Sequence, residues 1–468
     1  MAQDHLDRLS SVDAGFLHAE DGGDAHMHIG GLAILEGPAP SVEDFQQHIA
    51  SRLQLVPRYR QRLVNAPLHT GRPLWVDDPD FTLSYHVRHT ALPAPGTEEQ
   101  LRVLAGRVVS QRLDRTKPLW EIWLVEGLAD GRWAVINKTH HALVDGVGGM
   151  DILTALFDLT PEPRELPVDT WEAQPAPNSI GLLAHGARGA VGRATGLATG
   201  ILKGVTNPSG AVNKVTEAVQ GLGEVAQALL DPAPPTPLNM KPGPHRRFTT
   251  VSTKLADYKT VKNSVGGTVN DVVLAVVAGA VAEFLRGRGV DTDGLRLRAC
   301  VPVSVRTSEQ KGGAGNKITI MVAPLPVDVD DPLQRLAAVR EEMDDLKESK
   351  QAIGAELLTK MEDFLPPTML AQAARLSFSP RLYNFLVTNV PGPQFSVYML
   401  GSRMQEIYPI AFLAPSHLLA IAIVSYDGQV NLGLLGDYDG LPDLDVLAKS
   451  IEHALAELVE RAEAAAQG

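Results

Sequence analysis

Hydrophobic residues recur along the first third of the chain at two spacings, one typical of helices and one typical of strands. Ser41 and Asp44 resemble a capping box, and apolar residues at positions 45, 49 and 53 then follow one helix face. Strands are predicted around residues 81–88 and 119–127, and the β-forming run Trp133–Asn137 predicts another. Glycines 146, 148 and 149 separate that run from a helical period over Met150–Phe157. Alternating strands and helices indicate an α/β fold.

A long connector divides this pattern into two halves. From Pro161 to about Pro244 the chain is rich in Pro, Gly and Ala, and it ends in a proline cluster at 231–237. Beyond it, a strand is predicted over 247–252, a Val/Ala-rich helix from Asp271 and a strand over 295–303. We therefore predict an N-terminal half at 1–160, a connector at 161–245 and a C-terminal half at 246–468.

Composition narrows the class of protein. A chain of 468 residues with 44% hydrophobic content is too long for one ordinary core and can bury two. Its single cysteine, Cys300, excludes a disulfide framework and a cysteine-based metal site, and apolar neighbours predict an inert buried thiol. The net charge of −13 argues against nucleic acid as a partner. The polar N-terminus resembles no signal peptide, so a cytoplasmic location is expected.

Two segments bear on membrane contact. The uncharged run over 407–426 has spanning length, but Pro409, Pro415 and the polar residues beside Pro415 interrupt it, so two buried strands with a turn are predicted. The connector carries no acidic residue between Glu172 and Glu217, and the basic residues within that stretch are Arg188, Arg193, Lys203 and Lys214. This segment fits either an anionic membrane surface or, as the preferred interpretation, a plain Gly-rich linker. The protein is therefore expected to be soluble or peripheral to a membrane.

The run His140–Gly146 carries the candidate chemistry. It follows a predicted strand and precedes a predicted helix, and His141 is the only one of 14 histidines with an aspartate four residues later, Asp145. A neutral imidazole accepts a proton from an alcohol or amine near pH 7, so His141 is the candidate general base. An anchoring role in the loop is preferred for Asp145 over a chemical one. His453 and Glu457 imitate the spacing, but their amphipathic helix favours a solvated pair.

The His-His-x-x-x-Asp-Gly run resembles that of the CoA-dependent acyltransferase superfamily. Further motifs, in the same order, resemble the bacterial wax ester synthase/diacylglycerol acyltransferase family from about residue 9 to about residue 460. These motifs are Leu9–Asp13 with Phe16–Leu17, Met27–Gly30, Leu92–Gly96, Pro118–Glu121, Val269–Val272 and Thr388–Pro393.

The resemblance implies two chloramphenicol-acetyltransferase-like halves with mixed sheets, with His141 at their interface in a channel open to both substrates. By the same resemblance His140 and Gly146 support the site. Spacing alone favours Asn270 or Asp271 as a helix cap, but the resemblance makes this pair site-proximal supports. Pro118, Leu119 and Trp120 are candidates for the substrate channel, although packing beneath the site is preferred for them.

The function implied by the resemblance is that of an acyl-CoA-dependent O-acyltransferase. It would esterify diacylglycerol, the preferred acceptor, and also long-chain alcohols. His141 would deprotonate the acceptor and return the proton to the CoA thiolate; no Gly-x-Ser-x-Gly nucleophile is present. No cofactor is expected, and His26 and His28 lack the partners of a zinc site. The alternatives are a condensation-type enzyme acting on carrier-bound substrates and a non-catalytic lipid-binding or droplet protein. Peripheral contact with the inner face of the membrane or with lipid droplets is a further expectation.

Overall fold

The computed structural model of the protein describes residues 7–21, 23, 25–65, 72–144, 155–175, 232–304, 318–348 and 378–467. Up to residue 144 the elements are α1 (Ser11–Glu20), β1 (His28–Leu35), α2 (Val42–Arg52), β2 (Gln61–Val64), β3 (Leu74–Asp77), α3 (Leu83–His86), β4 (Val87–Ala91), α4 (Glu98–Ser110), β5 (Trp120–Glu126), β6 (Trp133–His140) and α5 (His141–Val144). After the connector they are β7 (Arg246–Lys254), α6 (Leu255–Val265), α7 (Val269–Gly287), β8 (Arg296–Ser304), β9 (Ile318–Pro326), α8 (Pro332–Glu348), β10 (Phe385–Pro391), β11 (Tyr398–Met399), β12 (Ser402–Ile410), β13 (Leu419–Tyr426), β14 (Gln429–Asp437) and α9 (Leu444–Gln467).

The described strands form two six-stranded sheets and a small two-stranded one. The first sheet has the order β11-β12-β1-β6-β5-β4, and the second has the order β7-β14-β13-β10-β8-β9. Both sheets are mixed, because β4 runs parallel to β5 and β10 runs parallel to β8 and β13. The α/β class and the mixed sheets expected from the sequence are therefore confirmed.

One sheet is built from both halves of the chain. β12, from the C-terminal half, pairs antiparallel with β1 and places Ile410 opposite Gly30. Where β12 crosses the second sheet, a Cβ atom on Gly433 would lie 1.9 Å from the carbonyl oxygen of Pro409. Only glycine permits so close an approach of two backbones. The predicted boundary near residue 246 therefore separates stretches of sequence but does not separate the two sheets.

Three hydrophobic clusters follow from this arrangement. One surrounds the first sheet and includes Met399 and Met404 from the C-terminal half. A second lies between the second sheet and helices α6 to α9, and the third combines residues of both sheets, among them Ile136, Phe248 and Leu435. In α7 almost every side chain from Val272 to Leu285 is buried, so this helix is the central element of the C-terminal core.

Several local predictions are confirmed by the structure. The Ser41 hydroxyl oxygen accepts the Asp44 N–H at 3.0 Å and caps α2, whose Phe45 and Ile49 side chains are fully buried. The run over 407–426 contributes to two strands, β12 and β13, as expected. The hairpin between β13 and β14 turns at Asp427 and Gly428, which both have positive φ, as a tight two-residue turn requires.

Two local predictions need correction. The strand predicted around 81–88 is wrong over most of its length, because Leu83–His86 forms one helical turn and β4 begins only at Val87. The buried His86 ring stacks on Trp120 with centroids 4.6 Å apart, a long-range contact that a β pattern does not record. On α9, the ring of His453 contacts Glu283 of α7 at 3.1 Å, so its hydrogen-bonding partner is not the expected Glu457.

None of the described helices is by itself long and apolar enough to cross a membrane. Helices α6 and α7 reach the length and apolar composition of a membrane span only when they are taken together, and they meet at an angle of 103°.

Candidate active site

The backbone of the two candidate histidines is held by the residues that directly precede strands β5 and β1. β6 ends at His140, and α5 begins at His141. The N–H of His140 donates to the carbonyl oxygen of Leu119 at 2.9 Å, and the N–H of His141 donates to that of Met27 at 2.8 Å. The position of His141 is therefore set by segments distant in sequence.

The ring of His141 lies in an aromatic pocket made by both halves. It stacks on Phe16 with centroids 4.0 Å apart, and Phe412 meets it edge-on at 5.8 Å. Phe378 contacts both of these phenylalanines. Phe412 and Phe378 belong to the C-terminal half, so the structure brings His141 to the interface of the halves, as the resemblance implied.

Burial in this pocket determines the charge of His141. Desolvation, together with the neighbouring His140, lowers the pKa of His141 to about 4. Its Nδ1 atom is buried, and no described residue forms a hydrogen bond with it. At pH 7 the imidazole is therefore neutral, the form in which it can accept a proton.

His140 has a different environment from that of His141. Its side chain is buried, and its Nδ1 accepts the N–H of Ala142 at 3.1 Å. That bond leaves the ring proton on Nε2, which lies 3.7 Å from Oε2 of Glu20. His140 is thus hydrogen-bonded through Nδ1 and turns Nε2 toward Glu20, which supports His141 as the residue available to substrate.

Glu20 lies at the centre of a buried polar cluster. It accepts the Met27 N–H at 3.1 Å and is bound by Arg115 through Nε at 3.2 Å and Nη2 at 2.7 Å. Its Oε1 is 3.5 Å from Nε2 of His28. Burial raises the pKa of Glu20, but His140, His28 and Arg115 together outweigh that effect and hold the pKa well below its ordinary value. Glu20 is therefore ionised.

Glu20 was not predicted from the sequence, and Phe16 was given no role there. Phe16 belongs to the first motif of the family resemblance, and Glu20 lies between that motif and Met27–Gly30. Its place at the end of a mostly apolar helix, directly before Asp21, was the only available signal for Glu20. The partners that give it meaning, Met27 and Arg115, are brought to it by the fold alone.

Asn270 and Asp271 lie at the start of α7. The expected capping role is confirmed for Asp271 as one member of a capping box, but the N-cap residue itself is Thr268, which accepts the Asp271 N–H at 3.2 Å. Asp271 reciprocates by accepting the Thr268 N–H at 2.8 Å. Asn270 accepts a hydrogen bond from Asn389 at 3.2 Å, which joins two of the family-like motifs. The described contacts of the pair do not include His141, so a role beside the site stays a prediction.

Pro118, Leu119 and Trp120 are buried beneath the histidines. The indole N–H of Trp120 donates to the carbonyl oxygen of Tyr59 at 2.7 Å, while the carbonyl of Leu119 holds the N–H of His140. These contacts support the packing role, and a part in lining the substrate channel stays a prediction. Asp145, Gly146 and most of the connector, residues 176–231, lie outside the described residues.

Within the described ranges, no three His, Cys, Asp or Glu side chains come close enough together to hold a metal ion. His26 and His28 are buried with ring centroids 5.5 Å apart. Burial raises the pKa of Cys300 to about 12, as expected for an unreactive thiol.

Comparison with known proteins identifies the family. Residues 9–273 match the wax ester synthase/diacylglycerol acyltransferase catalytic domain, and residues 314–459 match the C-terminal domain of the same enzymes. The chain belongs to this family. A Mycobacterium tuberculosis member named "Probable diacyglycerol O-acyltransferase tgs1" is 36% identical over 97% of this chain and 96% of its own. A second, tgs2 of the same species, is 31% identical over 97% and 99% of the two chains.

Solved structures agree with this assignment. The wax ester synthase/diacylglycerol acyltransferase from Marinobacter aquaeolei VT8 superposes with a TM-score of 0.68 at 28% identity, covering 98% of this chain and all of that one. The trichothecene 15-O-acetyltransferase TRI3 from Fusarium sporotrichioides gives a TM-score of 0.60 at 13% identity, over 97% and 95% of the two chains. The latter likeness shows the fold alone. Together they confirm the two-halved acyltransferase architecture expected for a family member.

Proposed function

We propose that this chain transfers the acyl group of an acyl-CoA to the hydroxyl of diacylglycerol, and to long-chain alcohols as secondary acceptors, with His141 as general base. The observation that carries the proposal is a neutral imidazole held between the halves in an aromatic pocket of a family member. The relatives named as diacylglycerol acyltransferases support that acceptor as the first choice.

The reaction needs only one proton to be moved in two directions. His141 accepts the hydroxyl proton as the alcohol oxygen bonds to the thioester carbonyl carbon. The carbon–sulfur bond then breaks, and the imidazolium returns the proton to the CoA sulfur. We assign the accepting nitrogen as Nε2, because Nδ1 is buried. The lowered pKa of His141 keeps the base unprotonated at neutral pH and favours return of the proton.

We further propose that turnover needs neither a metal ion nor an organic cofactor. A thioester is electrophilic without a Lewis acid, and the described part of the site presents histidine, glutamate and phenylalanine side chains rather than a metal cluster.

The place of action that we propose is a lipid surface, at the inner face of the membrane or on lipid droplets. The end of β10 supplies an apolar tip, defined as Val390, Pro391, Pro393 and Phe395, all of them exposed. Exposure reaches 60% at Val390 and 54% at Phe395. Within the tip, Gln394 donates to Ser425 and accepts from Gly428, which ties this segment to the hairpin between β13 and β14. Exposed apolar residues that lie together favour insertion among lipid headgroups.

Purified protein incubated with palmitoyl-CoA and either diacylglycerol or hexadecanol tests the proposal. We expect CoA thiol release that depends on diacylglycerol, yields triacylglycerol by chromatography and persists in EDTA. CoA release only with an amine or carrier-bound acceptor would reassign the protein to condensation-type chemistry. Lipid binding without turnover would favour a non-catalytic droplet protein.

A further inference from the structure

Glu20 is connected to the backbone of His141 through one intervening residue. Its Oε1 accepts the N–H of Met27 at 3.1 Å, and the carbonyl oxygen of Met27 accepts the N–H of His141 at 2.8 Å. The carboxylate at the end of α1 thereby fixes the segment that holds the proposed base in place.

A second path runs from the same carboxylate through His140. Oε2 lies 3.7 Å from Nε2 of His140, and Nδ1 of that ring accepts the N–H of Ala142 at 3.1 Å. Glu20 therefore reaches the N–H of residue 141 through two hydrogen bonds, and it reaches that of residue 142 through a contact with the His140 ring that is longer than a hydrogen bond. Each path passes through a different neighbour.

Arg115 immobilises the carboxylate from the other side. Its guanidinium binds Oε2 of Glu20 through two nitrogens, donates to the Leu17 carbonyl at 3.0 Å and binds Asp21 at 2.6 Å. Glu20 is only 5% exposed. A buried charge is costly unless it is fully paired, so its place directly behind the proposed base points to function rather than to stability.

We propose that Glu20 is a positioning residue for acyl transfer. Through Met27 and His140 it fixes the backbone of His141 and Ala142, so that the His141 ring keeps its stack on Phe16 and presents its accessible edge to the acceptor hydroxyl. The inference rests on the proposed function, since it assigns His141 as the base. It adds a residue whose contribution is geometric: Glu20 sets where the base lies and does not touch substrate.

Two substitutions and one matched control test this role. Glu20→Gln keeps an oxygen for the Met27 N–H but removes the charge, whereas Glu20→Leu removes both. Asp21→Asn is the control, because Asp21 binds the same Arg115 but is half exposed and touches neither Met27 nor His140. A misplaced base can cost about 100-fold in rate. We expect kcat to fall about 100-fold in Glu20→Leu and about 10-fold in Glu20→Gln, with KM for palmitoyl-CoA within about twofold and Asp21→Asn like the parent.

A folded Glu20→Leu variant with the parent kcat would overturn the proposal. So would equal losses in the Leu and Gln variants that track a lowered melting temperature, because a purely structural role predicts no rescue by Gln. A second readout needs no substrate: the rate at which diethylpyrocarbonate modifies His141, followed by peptide mass spectrometry. If Glu20 positions the backbone of His141 and Ala142, the modification rate should be higher in Glu20→Leu than in Asp21→Asn. Equal rates in the two variants would contradict the positioning role. If the parent protein turns over no acceptor, the proposed function fails separately, and Glu20 is judged on this second readout.

Discussion

At the scale of single residues, two adjacent histidines have been given different tasks by their surroundings. His140 is held between the Ala142 N–H and the Glu20 carboxylate, while His141 stacks on Phe16 in a pocket between the halves. The same side chain thus serves as a structural link at one position and as the proposed base at the next, because β6 ends between them.

Substitution His141→Ala removes the proposed base without disturbing the backbone contacts of residue 141. We expect the rate of acyl transfer to fall by about 10²–10⁴-fold, the usual contribution of a general base. Product formation from palmitoyl-CoA and diacylglycerol measures this, with circular dichroism matched to the parent. A folded variant that keeps more than about a tenth of the rate would exclude the assignment.

The low pKa of His141 predicts an unusual pH profile. Because burial lowers that pKa to about 4, the ring stays neutral through the mildly acidic range. In the range where the fold persists, kcat/KM should be level from about pH 8 to about pH 5 and should decline only as pH approaches 4. Initial rates at saturating acceptor and varied palmitoyl-CoA measure this kcat/KM. An acid limb near 6.5, the ordinary histidine value, would mean that the ring is solvated.

At the scale of elements, the start of α7 connects two of the motifs that resemble the family, Val269–Val272 and Thr388–Pro393. Thr268 and Asp271 cap the helix reciprocally, and Asn270 accepts a hydrogen bond from Asn389 of β10. Capping thereby frees the Asn270 side chain for a contact outside its own helix.

Thr268→Ala should separate stability from activity at this terminus. Loss of the cap is expected to lower the free energy of unfolding by about 1 kcal/mol and to leave kcat almost unchanged. Thr97→Ala removes the equivalent cap of α4, where Thr97 accepts the Gln100 N–H at 3.2 Å, and serves as the matched control. Denaturant unfolding and kcat are measured on both. A tenfold loss of kcat in the Thr268 variant alone would place the start of α7 against the reacting groups.

At the scale of the whole molecule, the two halves share a sheet and an aromatic pocket, and one end of the second sheet carries the apolar tip. β12 completes the sheet that contains β6, and Phe412, just beyond its end, reaches His141. Each half is therefore incomplete without the other.

The apolar tip should govern binding to lipid surfaces. Replacing Val390 and Phe395 by Ser is expected to reduce sedimentation with diacylglycerol-containing anionic vesicles severalfold, because inserted apolar area is lost. Val103 and Val446 are equally exposed, at 68% and 52%, and their Ser variants are the control. Binding through the basic connector would instead be lost on adding salt and on changing Arg188, Arg193, Lys203 and Lys214 to Gln. Equal binding by tip and control variants would exclude the tip.

Buried histidines predict loss of stability in acid. Burial lowers the pKa of His26, His48, His86 and His141 to about 4, from 6.5 in the unfolded chain. As pH falls below 6.5 the unfolded state takes up protons that the folded state refuses, so this stability is complete above 6.5 and declines toward 4. Each such group contributes about 1.4 kcal/mol per pH unit. The melting temperature should be level from pH 8 to 6.5 and fall steeply from pH 6.5 to 5, and a flat profile throughout would show that these rings are hydrated. His453→Asn, which removes an exposed histidine with a raised pKa, should not weaken the trend.

Sequence alone determined the parts that depend on near neighbours. The periodicity after Ser41 predicted α2 and its cap, the β-forming run predicted β6, and the spacing of His141 and Asp145 singled out the candidate base. Such patterns can be recognised in a sequence because a helix face repeats within four residues and a strand face within two.

Tertiary structure decided what those parts do together. The path from Glu20 through Met27 to His141, the meeting of Phe16 with Phe412, and the transfer of β12 into the first sheet all join residues far apart in the chain. No local period encodes such contacts, because strand order and register are chosen by the burial of the whole core. The candidate base could be singled out from the sequence, but its neutral charge and its supports were fixed only when the two halves packed around it.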